Sequence, residues 1–293
     1  MPFVSVIIPN YNHAPYLKQR IDTVMNQTFQ DFEVIILDDC STDNSKSIIE
    51  QYRNNEKVSH IVYNDINTGS PFKQWLKGME LSTGEYVWIA ESDDWASPDF
   101  LAILLNETLK HENVGICFAG SNWVDDMGKT GEDLSVYHES FFIEGREEIR
   151  KRLLRYNTIQ NASSALIRKS TAINVMQKAM QYKAAGDWIF YIDILMDSNL
   201  AFVGKKLNNF RWYHNNTSNK ASKDGLWITE GLKAIVNSNS FRLKFTKDER
   251  QEIFQYWLQK PSQFSGLKRF NFTCQTYLYL SLFFIKSRTT KNG

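Results

Sequence analysis

Hydrophobic and polar positions form two alternating patterns along the first 120 residues. Short apolar runs rich in β-branched residues predict buried strands, and longer stretches with helical spacing separate them. The predicted strands are 3–8, 32–37, 58–63, 86–90 and 115–119, and the predicted helices are 14–27, 42–53, 72–81 and 99–111. This alternation predicts βαβ units, and so a mostly parallel, Rossmann-like α/β sheet with helices on both faces.

After residue 120 the pattern is less regular. Asp125–Lys129 reads as a polar hairpin turn and not as a metal site, although it contains two adjacent aspartates. The remaining predicted helices are 147–156, 172–182 and 188–196, and the remaining predicted strands are 164–168, 201–204 and 207–213. From about Leu226 onward the chain is predicted to be helical. We therefore expect an α/β domain over 1–218 and a helical C-terminal extension over 219–293.

Charge and cysteine content narrow the class of protein. The net charge of +1 provides no overall field that would favour nucleic acid. Cys40, Cys117 and Cys274 are far apart, which predicts neither a zinc site nor a disulfide framework and fits a reducing compartment. The first residues enter a strand directly, without a signal-peptide pattern. The expectation is a cytoplasmic protein.

Polar side chains follow three of the predicted strands. The segments are Pro9–Asn12, Asp38–Asp39 and Glu91–Asp94. Each alone is typical of a cap or a turn, but ligands of open α/β sheets bind outside the carboxyl ends of the strands. Clustered carboxylates need compensation, and oxygen ligands suit Mg²⁺ or Mn²⁺. Since no glycine-rich phosphate loop is present, a bound diphosphate would need such an ion.

These motifs, together with Gln27–Phe29 and Gly84–Tyr86, resemble glycosyltransferase family two, whose members have the GT-A fold. The resemblance covers about residues 1–218 and implies a nucleotide-binding half at 1–120 and an acceptor-binding half at 121–218. It implies an inverting enzyme that moves a sugar from a nucleotide-diphosphate donor, expected to be UDP-linked, to a hydroxyl group. The acceptor would be a glycan or a lipid-linked molecule in polysaccharide or glycolipid biosynthesis.

The resemblance also implies roles at the donor site. Asp39, with Asp38 beside it, matches the acid that reads the nucleotide base. Other positions match the wall of the base pocket or the segment along the donor phosphates and sugar, where the family's usual Arg-Asn pair is not found: Pro9, Tyr11, Asn67, Gly69 and Lys73.

Glu91-Ser92-Asp93 occupies the family's Asp-x-Asp motif. By resemblance, Asp93 is the ligand of Mn²⁺ or Mg²⁺, Glu91 is a second ligand or a donor contact, and Ser92 lies in the donor site. Glu91 departs from the usual Asp, and its longer side chain could shift the ribose contact or weaken metal binding.

Two later segments carry further implied roles. Gly186-Asp187-Trp188 resembles the family's base motif, with Gly186 in place of the common Glu, and Asp187 would be the general base. The alternative for Asp187 is a helix N-cap. Arg211 and His214 resemble a late Arg-x-His segment, in which Arg211 would hold phosphate oxygens and His214 would bind the metal or the diphosphate. The other histidines, His13 among them, have no partner pattern and are assigned no role.

The C-terminal segment is apolar and basic. Leu278–Ile285 is apolar, and from Lys260 to the end there are six Lys or Arg residues and no Asp or Glu. This pattern predicts that residues 270–293 anchor the protein to anionic lipid, at the inner face of the cell membrane. A core-packing helix or a homodimer contact is the alternative.

Other functions stay open beside the transferase. Glu91 and Gly186 depart from the family pattern, which keeps a catalytically inactive sugar-nucleotide or glycan-binding module as the alternative. A nucleotidyltransferase and a dehydrogenase are disfavoured, because both usually carry glycine-rich loops that this sequence lacks.

Overall fold

The computed structural model describes residues 1–132, 135–212, 225–260 and 264–289 of the chain. Within them nine strands form one sheet. The strands are β1 Val4–Asn10, β2 Phe32–Asp38, β3 Val58–Tyr63, β4 Tyr86–Ile89, β5 Trp95–Ala96, β6 Val114–Val124, β7 Phe141–Glu144, β8 Ala165–Arg168 and β9 Asn199–Arg211.

The α-helices of the same residues flank the sheet and form the C-terminal region. They are α1 Ala14–Met25, α2 Ser45–Glu50, α3 Pro71–Leu81, α4 Phe100–Leu109, α5 Gly145–Glu148, α6 Lys169–Ala172, α7 Met176–Ala179, α8 Gly186–Leu195, α9 Leu226–Asn237, α10 Lys247–Gln259 and α11 Gly266–Thr289. A π-helical turn, Ile149–Leu153, directly follows α5.

The strand order is β3-β2-β1-β4-β8-β6-β9-β5, and β7 pairs with β9. Strands β1 to β4 are mutually parallel, and β6 runs parallel to β9. Strand β8 is antiparallel to both β4 and β6, and β5 and β7 are antiparallel to β9. Six strands therefore share one direction, which confirms the predicted mostly parallel α/β sheet.

Strands β1 and β2 are buried over their whole length, because helices cover both faces of the sheet. Ile7, Ile35 and Val87 belong to the apolar layer shared with α3 and α8. Val6 and Ile8 belong to the opposite layer, which α1 and α4 complete. This alternation explains why the first strands read as continuous apolar runs.

Departures from the predicted elements occur where the local pattern is ambiguous. The predicted helix 172–182 is interrupted, with α6 and α7 as separate short helices. The two predicted strands 201–204 and 207–213 form the single strand β9, whose pairing with β6 shifts register beside Gly120. The polar stretch Gly204–Lys206 predicts a turn, but it forms a bulge, in which one strand has extra residues relative to its partner.

The hairpin turn predicted after residue 124 is confirmed. The amide of Gly128 donates to the carbonyl of Asp125 (3.0 Å), and the amide of Asp125 donates to the carbonyl of Lys129 (3.0 Å). The Asp125 carboxylate accepts from the amides of Met127 and Lys129. Asp125 is thus a turn residue.

Helices α9 to α11 pack on the main body. Trp257, Phe272, Leu280 and Phe283 are buried in the same apolar cluster as α8. No helix among the described residues combines the length and the apolar character needed to span a bilayer. The predicted boundary between 218 and 219 lies outside the described residues.

Candidate active site

Hydrogen bonds tie together the carboxyl ends of β1 and β2. Asn10 Nδ2 donates to Asp38 Oδ2 (2.8 Å), and the Asp39 amide donates to the Asn10 carbonyl (2.9 Å). The Asn12 amide donates to Ser41 Oγ (2.9 Å). Asn12 and Cys40 have φ angles of 56° and 64°. Such values are uncommon outside glycine and persist where neighbours hold them, so this rim is a tightly determined piece of backbone.

Asp39 is buried and organises the loop before α3. Its carboxylate accepts from Asn64 Nδ2 (2.7 Å), Gln74 Nε2 (2.9 Å) and Thr68 Oγ1 (2.8 Å), and the Thr68 amide lies 3.0 Å from both oxygens. A nucleotide base that reads Asp39 would have to share or replace one of these donors. The base-reading role stays a prediction.

The other predicted donor-site residues lie on this rim or directly under it. Pro9 is buried within β1, while Tyr11 is 47% exposed just beyond it. Asn67 donates to the Asp39 carbonyl (3.1 Å) and accepts from the amide of Gly69 (2.7 Å). Gly69 has a φ of +69°, which favours glycine, and Lys73 Nζ donates to the Thr68 carbonyl (3.1 Å).

The acidic loop after β4 is held from below by Arg20 of α1. Arg20 is completely buried, its Nε donates to the Glu91 carbonyl (2.8 Å), and its Nη2 lies 3.9 Å from Asp94 Oδ2. Burial lowers the pKa of Arg20 to about 10, which leaves it a cation at neutral pH. Asp94 also accepts from Asn161 Nδ2 (3.0 Å) and from the Arg211 amide (2.9 Å). Asp94 therefore points inward and fixes the loop.

Glu91 contacts α3. Trp75 Nε1 donates to Glu91 Oε1 (2.8 Å), and the Glu91 amide donates to Ser163 Oγ (3.0 Å). Desolvation, with a contribution from the charge of Asp93, raises the pKa of Glu91 to about 8. The raised pKa makes ionisation of Glu91 less favourable, and a carboxyl must be ionised to bind a divalent ion.

The described residues of the acidic loop offer carboxylates to a metal ion but no complete set of ligands. Among the residues that the structure describes, no group of three or more Asp, Glu, His or Cys side chains converges on one point. Glu91 and Asp94 have protein partners, and His214 lies outside the described residues. Asp93 lies between them in the loop and, like Glu91, is half-buried. Since Mg²⁺ is often bound by one or two carboxylates plus substrate phosphates, the arrangement suits an ion shared by Asp93 and a diphosphate.

Arg211 is a buried residue at the end of β9. Its guanidinium carbon lies 4.2 Å from the ring centre of Tyr16 and 4.7 Å from that of Trp95. Its Nε donates to the Asp93 carbonyl (2.8 Å), and its Nη1 and Nη2 donate to the Asp126 carbonyl (2.9 Å) and Gln19 Oε1 (3.0 Å). These contacts fix the acidic loop against α1, and the phosphate contact stays a prediction.

His13, to which sequence reasoning assigned no role, belongs to the site. Its Nδ1 and the buried Ser92 Oγ are hydrogen-bonded at 2.8 Å. His13 directly follows the polar end of β1, and that position was the signal that could have identified it. The contact joins the β1 rim to the acidic loop, so Asp39 and Asp93 lie at the same edge of the sheet.

Asp187 lies one residue inside α8, and the cap position is Ala185, so the N-cap alternative is wrong. Its Oδ1 accepts from the Trp188 amide (2.8 Å) and its Oδ2 from Asn157 Nδ2 (3.0 Å). Burial raises the pKa of Asp187 to about 7. A carboxylate with this pKa can take up a proton near neutral pH, as a general base must.

One segment connects Asp187 to the acidic loop. Asn157 contacts Asp187, Asn161 contacts Asp94 and Ser163 contacts Glu91. The buried Tyr191 lies within electrostatic range of both Asp187 and Glu91, whose charges add to burial in raising its pKa. The structure thus brings the predicted base to the same site, and Tyr191 is a neighbour that the sequence did not single out.

Close packing explains why position 186 is a glycine. An added Cβ would lie 2.5 Å from the Ala179 carbonyl oxygen and 2.5 Å from the ring of Phe72. Such approaches are well inside van der Waals contact, so the family's common Glu has no room here.

A family model described as "Glycosyl transferase family 2" matches residues 5–176, which is more than half of the chain. TuaG of Bacillus subtilis (strain 168), provisionally named a teichuronic acid biosynthesis glycosyltransferase, is 35% identical over 119 residues, covering 41% of this chain and 46% of TuaG.

A second relative is similar in both sequence and structure. The poly(ribitol-phosphate) beta-N-acetylglucosaminyltransferase TarS of Staphylococcus aureus (strain MW2) is 29% identical over 204 residues, covering 67% of this chain and 33% of TarS. The chain therefore spans less than half the length of either curated relative. The crystal structure of S. aureus TarS residues 1–349 with UDP-GlcNAc superposes with a TM-score of 0.66 at 17% identity, covering 98% of this chain and 90% of that one.

A third protein shares the fold. The mannosyltransferase PcManGT from Pyrobaculum calidifontis, in complex with GDP-Man and Mn²⁺, superposes with a TM-score of 0.57 at 14% identity, covering 99% of this chain and 87% of that one. These two structural matches confirm the predicted GT-A type of fold.

Restoring a side chain at position 186 is expected to destabilise the protein. Gly186→Ala and Gly186→Glu should each lower the free energy of unfolding by about 1–3 kcal/mol, because the new Cβ overpacks against Phe72 and the Ala179 carbonyl. Urea denaturation measures the change. Gly131→Ala is the control, since its Cβ would lie no closer than 3.7 Å to the nearest atom. An unchanged urea midpoint in Gly186→Ala would contradict the packing argument.

Proposed function

The chain belongs to glycosyl transferase family 2, and we propose that it moves a sugar from a nucleotide-diphosphate donor to a hydroxyl acceptor with inversion. The observation that carries this proposal is the meeting of three segments at one edge of the sheet. Asp39, the loop containing Asp93, and Asp187 are joined there through Asn10, His13 and the 157–163 segment.

The donor is proposed to be a nucleoside-diphosphate sugar. TarS binds UDP-GlcNAc and PcManGT binds GDP-Man with Mn²⁺ according to their structures. Both donors contain a diphosphate, which supports the same chemical class for this chain. We propose UDP as the nucleotide, with TarS the more similar fold, and a glycan or lipid-linked hydroxyl as the acceptor.

The proposed reaction relies on Asp187 as the base. Its carboxylate accepts the proton of the acceptor hydroxyl as that oxygen attacks the sugar from the face opposite the leaving group, and a single displacement inverts the anomeric centre. Asn157 and the Trp188 amide keep the carboxylate oriented. A divalent ion held by Asp93 and the diphosphate would offset the charge of the leaving group.

An inactive binding module is the alternative function. Its support came from the two departures at Glu91 and Gly186. Trp75 holds the Glu91 side chain, and the space around Gly186 excludes a larger residue. Each departure thus has a local structural reason, so neither supports the inactive module by itself.

Donor and metal are expected to bind as a unit. UDP with Mn²⁺ at about 100 times the dissociation constant should raise the melting temperature of the wild type by on the order of 5 °C. Mn²⁺ alone should raise it little, because among the described residues no group of three or more ligating side chains converges on one point. Asp93→Asn should abolish the Mn²⁺-dependent part of the shift. A full shift with Mn²⁺ alone, or an unchanged shift in Asp93→Asn, would contradict this arrangement.

Asp187 should control turnover and its dependence on pH. Because its pKa is raised to about 7 and the base must be ionised, kcat should rise as the pH increases towards 7 and level off above it. Asp187→Asn should lower kcat by about 10²–10⁴-fold. Release of nucleoside diphosphate in the presence of acceptor measures turnover. The thermal shift with the donor is the control and should persist, while full transfer by the variant would remove Asp187 from the mechanism.

The C-terminal helix α11 is proposed to contact an anionic membrane surface. One of its faces is buried through Phe272, Leu280 and Phe283. The opposite face exposes apolar side chains, each more than half accessible: Leu267, Phe270, Tyr277, Leu278, Leu282 and Ile285. The helix carries four Lys or Arg residues and no acid. The apolar side chains can be buried at the surface of a bilayer, and the basic residues are attracted to its anionic lipids.

Charge on the exposed stripe should abolish membrane binding without unfolding the helix. The wild type should float with vesicles containing phosphatidylglycerol and less with pure phosphatidylcholine, whereas Leu278→Glu/Leu282→Glu should stay at the bottom of the gradient. Leu109→Glu, at an exposed apolar residue of α4, is the matched control and should float. A wild type that does not float but forms a dimer that the double variant disrupts would assign this face to a second copy.

A further inference from the structure

A carboxylate from the C-terminal region caps the loop in front of the proposed base. Glu230 lies on α9, and its side chain accepts from three consecutive backbone amides. The Lys183 amide lies 3.1 Å from both oxygens, and the Ala184 and Ala185 amides lie 2.7 Å and 3.0 Å from Oε2. Successive amides that converge in this way form an anion-binding concavity, and here a side chain of the same protein fills it.

The concavity lies directly before the helix that carries the proposed base. Residues 183–185 end where α8 begins, and Asp187 is the second residue of that helix. A negative charge at a helix N-terminus is also favourable to the helix. Contacts of Glu230 therefore act on the stretch of backbone that sets the direction of the Asp187 side chain.

Helix α9 is packed closely enough to hold this position. At Gly231, the residue after Glu230, an added Cβ would lie 2.3 Å from the ring of Trp188, the residue after Asp187. Glycine thus allows α9 to approach α8 directly beside the base. Together with the three amide bonds, this makes the contact between the two helices a defined one.

We infer that Glu230 is a positioning residue for the Asp187 base, supplied by a helix that lies beyond the region matched by the family model. The inference rests on the proposed function of Asp187. Glu230 does not need to touch the donor or the acceptor. It holds residues 183–185, and through them the orientation and the electrostatic surroundings of the Asp187 carboxylate.

The charge of Glu230 adds a second effect. Burial is the main cause of the raised pKa of Asp187, and the negative charge of Glu230 raises it further. Among the described residues, Tyr191 of α8 is a further titratable group near Asp187, and it also interacts electrostatically with Glu91. Removal of the Glu230 charge should therefore move the ionisation of Asp187 to lower pH, while loss of the amide bonds should disturb its orientation.

Two substitutions separate charge from geometry. Glu230→Gln removes the charge and keeps the length, whereas Glu230→Asp keeps the charge and shortens the reach. Glu230→Gln should lower kcat by on the order of tenfold or more and leave the donor KM nearly unchanged. It should also shift to lower pH the rising limb of the kcat–pH profile, which reports the ionisation of Asp187. Glu230→Asp should lower kcat with a smaller shift of the limb.

Asp193→Asn is the matched control. Asp193 lies on the same helix α8, accepts from the Asn239 amide (2.6 Å) and from Lys178 Nζ (2.7 Å), and so joins α8 to the segment after α9 at a distance from Asp187. Its loss should lower the melting temperature without moving the pH limb. Hydrogen exchange of the amides 183–185 gives a readout independent of activity and should accelerate in both Glu230 variants only.

The possible failures are distinct. Absence of turnover in the wild type with any donor would count against the proposed function, and exchange at 183–185 would still test the contact. A wild type that turns over, with a Glu230→Gln variant that keeps its kcat and its pH limb, would overturn the positioning role. Unchanged exchange in both Glu230 variants would overturn it as well.

Discussion

The cost of burying acidic side chains at one edge of the sheet is the constraint on which this structure depends. Isolated buried carboxylates are strongly unfavourable, and they persist when cations and hydrogen-bond donors surround them. Arg20 supplies a completely buried cation beneath the acidic loop, and Arg211 supplies a second, largely buried cation in contact with two aromatic rings. Both bind loop carbonyls and so fix the backbone that presents Asp93.

The same burial distributes protons among the acids. Desolvation raises the pKa of Glu91 to about 8 and that of Asp187 to about 7. Asp94 is bonded to Asn161 and Glu91 to Trp75, and Asp93 is the acid of the same loop that we propose as the ligand of a divalent ion. Separate environments for neighbouring acids are how active sites assign different tasks to chemically similar groups. The arrangement thus supports one base and one anionic ligand at the same edge.

The C-terminal helices complete this site rather than simply following it. Helix α9 meets α8 at Gly231 and Trp188, and Glu230 caps the loop before Asp187. Helices α10 and α11 bury Trp257, Phe272 and Phe283 in the same apolar cluster as α8. Residues outside the matched family region therefore contact the backbone that orients the proposed base. The exposed face of α11 does not take part in this packing and is the face that we propose contacts a membrane.

The sequence by itself determined the strand–helix alternation, the polar strand ends and the hairpin at Asp125, because each depends on neighbours a few residues away. It did not predict the short strands β5 and β7, the bulged continuity of β9, or the His13–Ser92 contact. Only the tertiary structure decided that Asp39 is surrounded by the 64–68 loop and Gln74 of α3, that Arg211 contacts Gln19, which is 192 positions away in sequence, and that Glu230 caps the loop before Asp187. Such contacts depend on how whole helices and strands pack, and the spacing of residues within one element does not encode which distant residue they meet.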